Sequence, residues 1–185
     1  IMGLWMIQSI RRELNGINYV AGRQIRTESE AKWSFSQLEH AARQSAGFTS
    51  VVDVNDERFL SPLSMIEEVK AACLESNQPK PQSIGELMQC VYNSLAKCYA
   101  DAINSLSALT NKNYSSINIV GGGCQDSYLN QLTAEATGLP VFAGPIEGTA
   151  IGNLIVQMIR EGEFKDLQEA RKSVRKSFSV KEAVL

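Results

Sequence analysis

Histidine is almost missing from this chain, with His40 its only example, and the four cysteines, Cys73, Cys90, Cys98 and Cys124, form no Cys-x-x-Cys pair. A structural zinc site is therefore disfavoured. No residue nearby supplies His40 with a nucleophile, so it is assigned no catalysis. The cysteines read as buried, reduced thiols. Cys73 and Cys90 flank the Pro79/Pro81 turn between two helices, so a contact between them is open. No apolar run approaches the roughly 20 residues of a membrane helix. The first residues also lack the basic region and small-residue cleavage site of a signal peptide. These absences predict a cytoplasmic protein with no membrane partner. Basic residues are not in excess either: 18 Lys and Arg face 20 Asp and Glu, for a net charge of −2. Without a basic field to replace counterions, nucleic-acid binding is disfavoured.

What remains is an ordinary globular composition, 185 residues with 44% hydrophobic and 21% charged. That is enough for one core, and one domain is the default. The chain opens on the apolar run Ile1-Met2-Gly3-Leu4-Trp5-Met6-Ile7. Natural termini are more often polar and frayed, so the expectation is a chain cut from something longer.

Periodicity predicts a mostly helical protein. Apolar residues at Met2, Met6, Ile10 and Leu14, with Leu4 and Ile7, fit a helix ended by Asn15-Gly16 and interrupted by the polar Gln8. Residues 18–32 carry little pattern. Ser34-x-x-Gln37, Ser64-x-x-Glu67, Ser83-x-x-Glu86 and Asp166-x-x-Glu169 each have the spacing that starts a helix. The third opens the longest helix, with Leu87, Val91, Leu95, Cys98, Ala102, Leu106 and Leu109 stepping by three and four. Ser50 to Val54 is β-prone. Asp53 and Asp56 follow it, and without a third ligand or a base they read as turn formers.

The most informative stretch is Ile117-Asn118-Ile119-Val120, then Gly121-Gly122-Gly123, then a helical pattern from about Asp126 to Thr137 closed by Gly138. It predicts a strand, a glycine turn and a helix. Leu139 to Ala143 is a second short strand, followed by Gly144-Pro145-Ile146-Glu147-Gly148 and a helix from Thr149 to Arg160. The fold class is α/β, helix-rich, with too few strands for a complete three-layer domain. Three glycines after a strand let a flat ring or a phosphate reach the backbone, and the next helix offers its N-terminal N–H groups. A P-loop needs a Gly-Lys-Ser/Thr ending, and none occurs. A dinucleotide fingerprint needs a glycine where Asp126 stands. Periodicity alone leaves both a ligand site and a bare tight turn open.

Several linked motifs carry a family resemblance. Ile119-Val120-Gly121-Gly122-Gly123-Cys124-Gln125-Asp126, Leu129-Asn130-Gln131-Leu132-Thr133-Ala134 and Ala143-Gly144-Pro145-Ile146-Glu147-Gly148-Thr149-Ala150-Ile151-Gly152-Asn153 resemble the C-terminal domain of the FGGY carbohydrate kinases. Met2-Gly3-Leu4-Trp5 with Gln8, and Asn55-Asp56-Glu57-Arg58-Phe59-Leu60-Ser61-Pro62, extend the likeness over essentially the whole chain.

The resemblance implies an actin-like, ribonuclease-H-type ATPase fold with an incomplete sheet, residues 1–185 being the nucleotide-binding part of a two-domain sugar kinase. ATP and Mg2+ are the implied cofactors, the metal held largely outside this chain. A ketose, L-rhamnulose by the closest likeness, is the implied substrate, bound by an N-terminal domain. Gly122 is the implied first nucleotide contact, with Gly121, Gly123 and Gln8 next. The family's catalytic aspartate and phosphate-binding hairpins are expected upstream of Ile1, and Asp53, Asp56, Asp101 and Asp126 match no motif that replaces that base. The chain alone is thus expected to be inactive, and to self-associate through an unpaired strand edge at Ile117 to Val120. Xylulose, glycerol or fuculose kinases of the same family, and a non-catalytic nucleotide-binding module, are the alternatives.

Overall fold

The computed structural model describes residues 3–20, 23–26, 32–178 and 180–183, with the backbone alone described at 18–20 and 23–26. Met2, placed in the first helix by its spacing, lies outside the described residues. The chain divides into two compact units, Ile1–Ala102 and Ile103–Leu185.

The first unit begins with α1 (Trp5–Leu14), whose apolar stripe buries Met6, Ile7 and Ile10. Gly16, at φ +71, lets the chain leave the helix, as a residue with a Cβ rarely does. Strands β1 (Ile17–Val20) and β2 (Arg23–Arg26) then pair antiparallel. This hairpin lies in the stretch that shows little sequence pattern. Helix α2 (Phe35–Gln44) starts on Ser34 with the reciprocal bonds of a capping box. Its entry is fixed on α1, because Asn15 Oδ1 accepts from Trp33 N at 2.6 Å and Asn15 Nδ2 donates to Trp33 O at 3.0 Å.

Ser50 to Val54 forms no strand. Gln78 takes the place of a neighbouring strand, accepting from Val51 N at 2.9 Å and donating to Val51 O at 2.7 Å. Ser94 Oγ accepts from Val52 N at 2.9 Å. Backbone groups satisfied by side chains have no need of a ladder.

Helix α3 (Met65–Glu75) is capped by Ser64, whose hydroxyl accepts from Glu67 N and donates to Glu13 Oε1 of α1 at 2.5 Å. Cys73 of α3 and Cys90 of α4 (Ile84–Thr110) meet as free buried thiols with their Sγ atoms 3.7 Å apart. Burial pushes both thiols above their ordinary range. Helix α4 is the longest element, and its apolar rhythm is only half used: Leu87, Val91 and Leu95 are buried, whereas Leu106 and Leu109 are exposed.

The second unit holds a three-stranded sheet in the order β3 (Ile117–Ile119), β4 (Val141–Ala143), β5 (Lys181–Ala183). The β3–β4 pair is parallel, with Ile117 opposite Val141 and Ile119 opposite Ala143; β4–β5 is antiparallel. Helix α5 (Ser127–Thr137) joins β3 to β4 and ends on Gly138 at φ +68. Helices α6 (Gly148–Arg160) and α7 (Leu167–Ser177) follow, the latter capped by Asp166, which accepts from Gln168 N and Glu169 N. Among the described residues no helix is long and apolar enough to cross a membrane.

Candidate nucleotide site

The glycine turn sits where β3 ends, and the neighbouring strand holds it there. Gly144 N donates to Ile119 O at 2.8 Å and Gly121 N donates to Pro145 O at 3.1 Å, carrying the parallel pairing past the last strand residue. Gly121 then takes φ +79 and ψ −168, a region open essentially to glycine alone. A short 3-10 turn, Gly122–Gln125, follows, closed by Cys124 N donating to Gly121 O at 3.1 Å. Cys124 is buried beneath it.

The three glycines therefore sit in one turn, but for different reasons. Gly121 is required by its backbone. Gly123 contributes its carbonyl, which accepts from Asp126 N at 3.3 Å. Gly122 is exposed, has no positive φ, and nothing lies within 4 Å of where its Cβ would stand. Neither backbone strain nor packing in this chain calls for glycine at 122.

Asp126 changes the chemistry expected of the turn. Its carboxylate accepts from Leu129 N at 3.0 Å and caps α5, so this helix N-terminus does not present a free set of N–H groups to a phosphate. A carboxylate beside the turn also repels a polyanion. The arrangement suits a neutral, flat group such as a nucleoside better than a triphosphate.

Gly148, the first residue of α6, faces a constraint of the opposite kind from Gly122. A Cβ there would come 2.9 Å from Val120 Cβ, so any other residue at the start of α6 would have to push Val120 aside. Behind Val120 opens a cavity of about 550 Å³ lined by Asn118, Val120, Pro145, Ile151, Ile155 and Arg171, among others. Gly121, Gly122 and Gly123 do not line it, and its wall is largely aliphatic.

Gln8 belongs to the other unit, where it is exposed on α1 between the buried Ile7 and Ile10. The remaining polar residues raised by the sequence have structural partners. Asp53 Oδ1 accepts from Asn55 N and Asp56 Oδ1 from Arg58 N, both as turn formers. His40 is exposed and bonds Gln44. Thr133 and Thr137 bond back to the carbonyls of Leu129 and Thr133. Sequence reasoning misses Asn130, which is buried and donates from Nδ2 to Cys124 O at 3.0 Å. Its signal was a polar residue on the stripe of α5 that buries Tyr128, Leu129, Thr133 and Ala134.

Comparison with known proteins places this geometry. The model of the FGGY family of carbohydrate kinases, C-terminal domain, matches residues 1–161. A rhamnulokinase of Halalkalibacterium halodurans is 45% identical over the full chain, which covers 36% of that protein. Rhamnulokinases of Bacillus subtilis and Klebsiella pneumoniae are each 41% identical, over 98% and 95% of this chain and 34% and 33% of their own lengths. The chain thus spans about a third of the curated relatives it matches. A strand, glycine turn and helix in this order, inside a family match over most of the chain, mean that it belongs to the FGGY family of carbohydrate kinases.

Proposed function

We propose that residues 1–185 are the C-terminal, nucleotide-binding part of a two-domain cytoplasmic sugar kinase with an actin-like fold. Its reaction is ATP-dependent phosphorylation of the C1 hydroxyl of L-rhamnulose, giving L-rhamnulose 1-phosphate and ADP. The observation that carries the nucleotide reading is Gly122: an exposed glycine that neither backbone strain nor packing requires. The choice of sugar rests on relatives named rhamnulokinases at 41–45% identity.

Within this reading the turn Gly121–Gly123 is a platform for the adenosine end of ATP. Gly121 sets the backbone direction, Gly122 leaves room for the ring, and the Asp126 carboxylate discourages phosphate from taking the same place. Gln8 is the second proposed nucleotide contact, by its place in the family motif. Phosphoryl transfer itself needs an in-line nucleophile, a base and charge neutralisation by a metal. Among the described residues no group of three or more His, Cys, Asp or Glu is placed to hold a metal ion. The base and the phosphate hairpins belong, in this proposal, to the other two thirds of the kinase, and the chain alone is inactive.

The proposed actin-like fold has more strands than the three in this sheet. The cavity beside Val120 and the outer edge of β3 are then surfaces that the rest of the domain covers, and the isolated chain self-associates through that edge.

The test is Gly122→Val in the full-length kinase. It places a branched side chain where the ring sits, so ATP binding, followed by calorimetry, is lost while the melting temperature stays at the wild-type value. Unchanged ATP affinity would overturn the assignment of the turn. A full-length protein active only on another sugar would overturn the substrate.

A further inference from the structure

The glycine turn is tied to α5 by one buried amide. Asn130 is 4% exposed, and its Nδ2 donates to the carbonyl of Cys124 at 3.0 Å. Cys124 lies inside the 3-10 turn, with its own N–H bonded to Gly121 O. The same asparagine's backbone N–H donates to Asp126 O at 3.1 Å, and Asp126 caps the helix through Leu129 N. Asn130 therefore grips the loop from below, at two points, within the first turn of α5. The other end of its amide is unusual: Oδ1 is buried with no hydrogen-bond partner among the described residues.

A buried acceptor left unpaired destabilises the folded state, and an apolar side chain of similar shape would avoid that cost. Stability alone thus argues against an amide at this position. Its one favourable bond goes to the turn that carries Gly122. We propose that Asn130 is a positioning residue for nucleotide binding. By holding the Cys124 carbonyl, it keeps the Gly121–Gln125 backbone in the conformation that leaves Gly122 open. The inference rests on the nucleotide reading of Gly122 and goes beyond it, because Asn130 itself touches no ligand. It predicts an effect on nucleotide affinity that is separable from sugar affinity and from turnover.

The experiment measures steady-state kinetics of the full-length kinase carrying Asn130→Leu, which keeps the volume and removes the donor. The expected result is a KM for ATP raised about tenfold, the loss of one buried hydrogen bond's worth of ordering. KM for the sugar, and kcat at saturating ATP, stay within about twofold of wild type, because the turn holds the nucleoside and not the reacting phosphate. Asn130→Asp keeps the shape and sets an oxygen against the Cys124 carbonyl, so its ATP KM also rises. It serves if the leucine variant fails to fold. A variant that folds with a lower melting temperature and an unchanged ATP KM would overturn the positioning role. Gly122→Val measured in parallel separates the two failures. ATP binding lost in Gly122→Val but unaffected by changes at Asn130 sinks this inference alone, whereas ATP binding retained in Gly122→Val sinks the reading beneath it as well.

Discussion

Gly85 and Gly122 both lack a positive φ, yet they carry opposite expectations. A Cβ on Gly85 would stand 2.6 Å from Ala41 O and closer still to Ser45 Oγ, so the start of α4 presses directly on the end of α2. The serine hydroxyl can rotate away, but the backbone carbonyl cannot. Gly85→Ala is therefore expected to destabilise the protein by about 1–3 kcal/mol through overpacking, despite alanine's better helix propensity. Urea denaturation measures it, and a midpoint at or above wild type would contradict the packing argument. Gly122→Ala, in open space, is expected to leave the same midpoint unmoved. The sequence marks Gly122 by its place in the glycine turn but gives no sign that Gly85 is packed, since what packs it is the carbonyl of a residue 44 positions earlier.

At the scale of elements, the turn before α3 is held by charge. Arg58 bonds Asp56 at 3.1 Å and Glu75 at 2.6 Å, and lies 4.0 Å from Glu68, fastening the 3-10 turn Glu57–Phe59 onto α3 above the buried Phe59. The Asp56 carboxyl is held below its ordinary range chiefly because it accepts the Arg58 backbone N–H, and then by the guanidinium charge. Glu75 is lowered chiefly by its hydrogen bond from Arg58. A carboxylate with a depressed folded-state pKa contributes stability that is present above its unfolded pKa and lost as pH falls through the folded one. Stability is thus expected to drop as pH is taken below about 4. Arg58→Met should make that part of the profile shallower, and because these groups face solvent the effect should weaken in high salt. A variant profile parallel to wild type would show that the cluster does not couple to folding. The helix starts at Ser34, Ser64, Ser83 and Asp166 were readable because each cap joins residues no more than three apart. The strand β5 was not, and Ser50 to Val54 misled, because partners far along the chain determine whether such segments pair; the hairpin β1–β2 pairs locally but carries no alternating apolar pattern to announce it.

For the whole molecule the open question is what meets the free side of β3. The order β3-β4-β5 leaves β3 hydrogen-bonded on one side only among the described residues, and Val120 next to it is exposed. Such an edge is a template for another strand. The isolated chain is expected to self-associate at high concentration, and a lysine in place of Asn118 on that strand should reduce it. Sedimentation velocity checks both; a monomer at every concentration would rule the edge out as a contact.

The sequence by itself determined the helix starts, the strand–glycine–helix order and the family, since these rest on short-range chemistry and on linked motifs. Only the tertiary structure decided which glycine is open and which is packed, that Asp126 occupies the end of α5, and that Asn130 braces the turn. The physical reason is that burial and hydrogen-bond satisfaction belong to surroundings that folding assembles. Asn130 reads in the sequence as one polar residue on a helix; only its burial against the Cys124 carbonyl gives it a role.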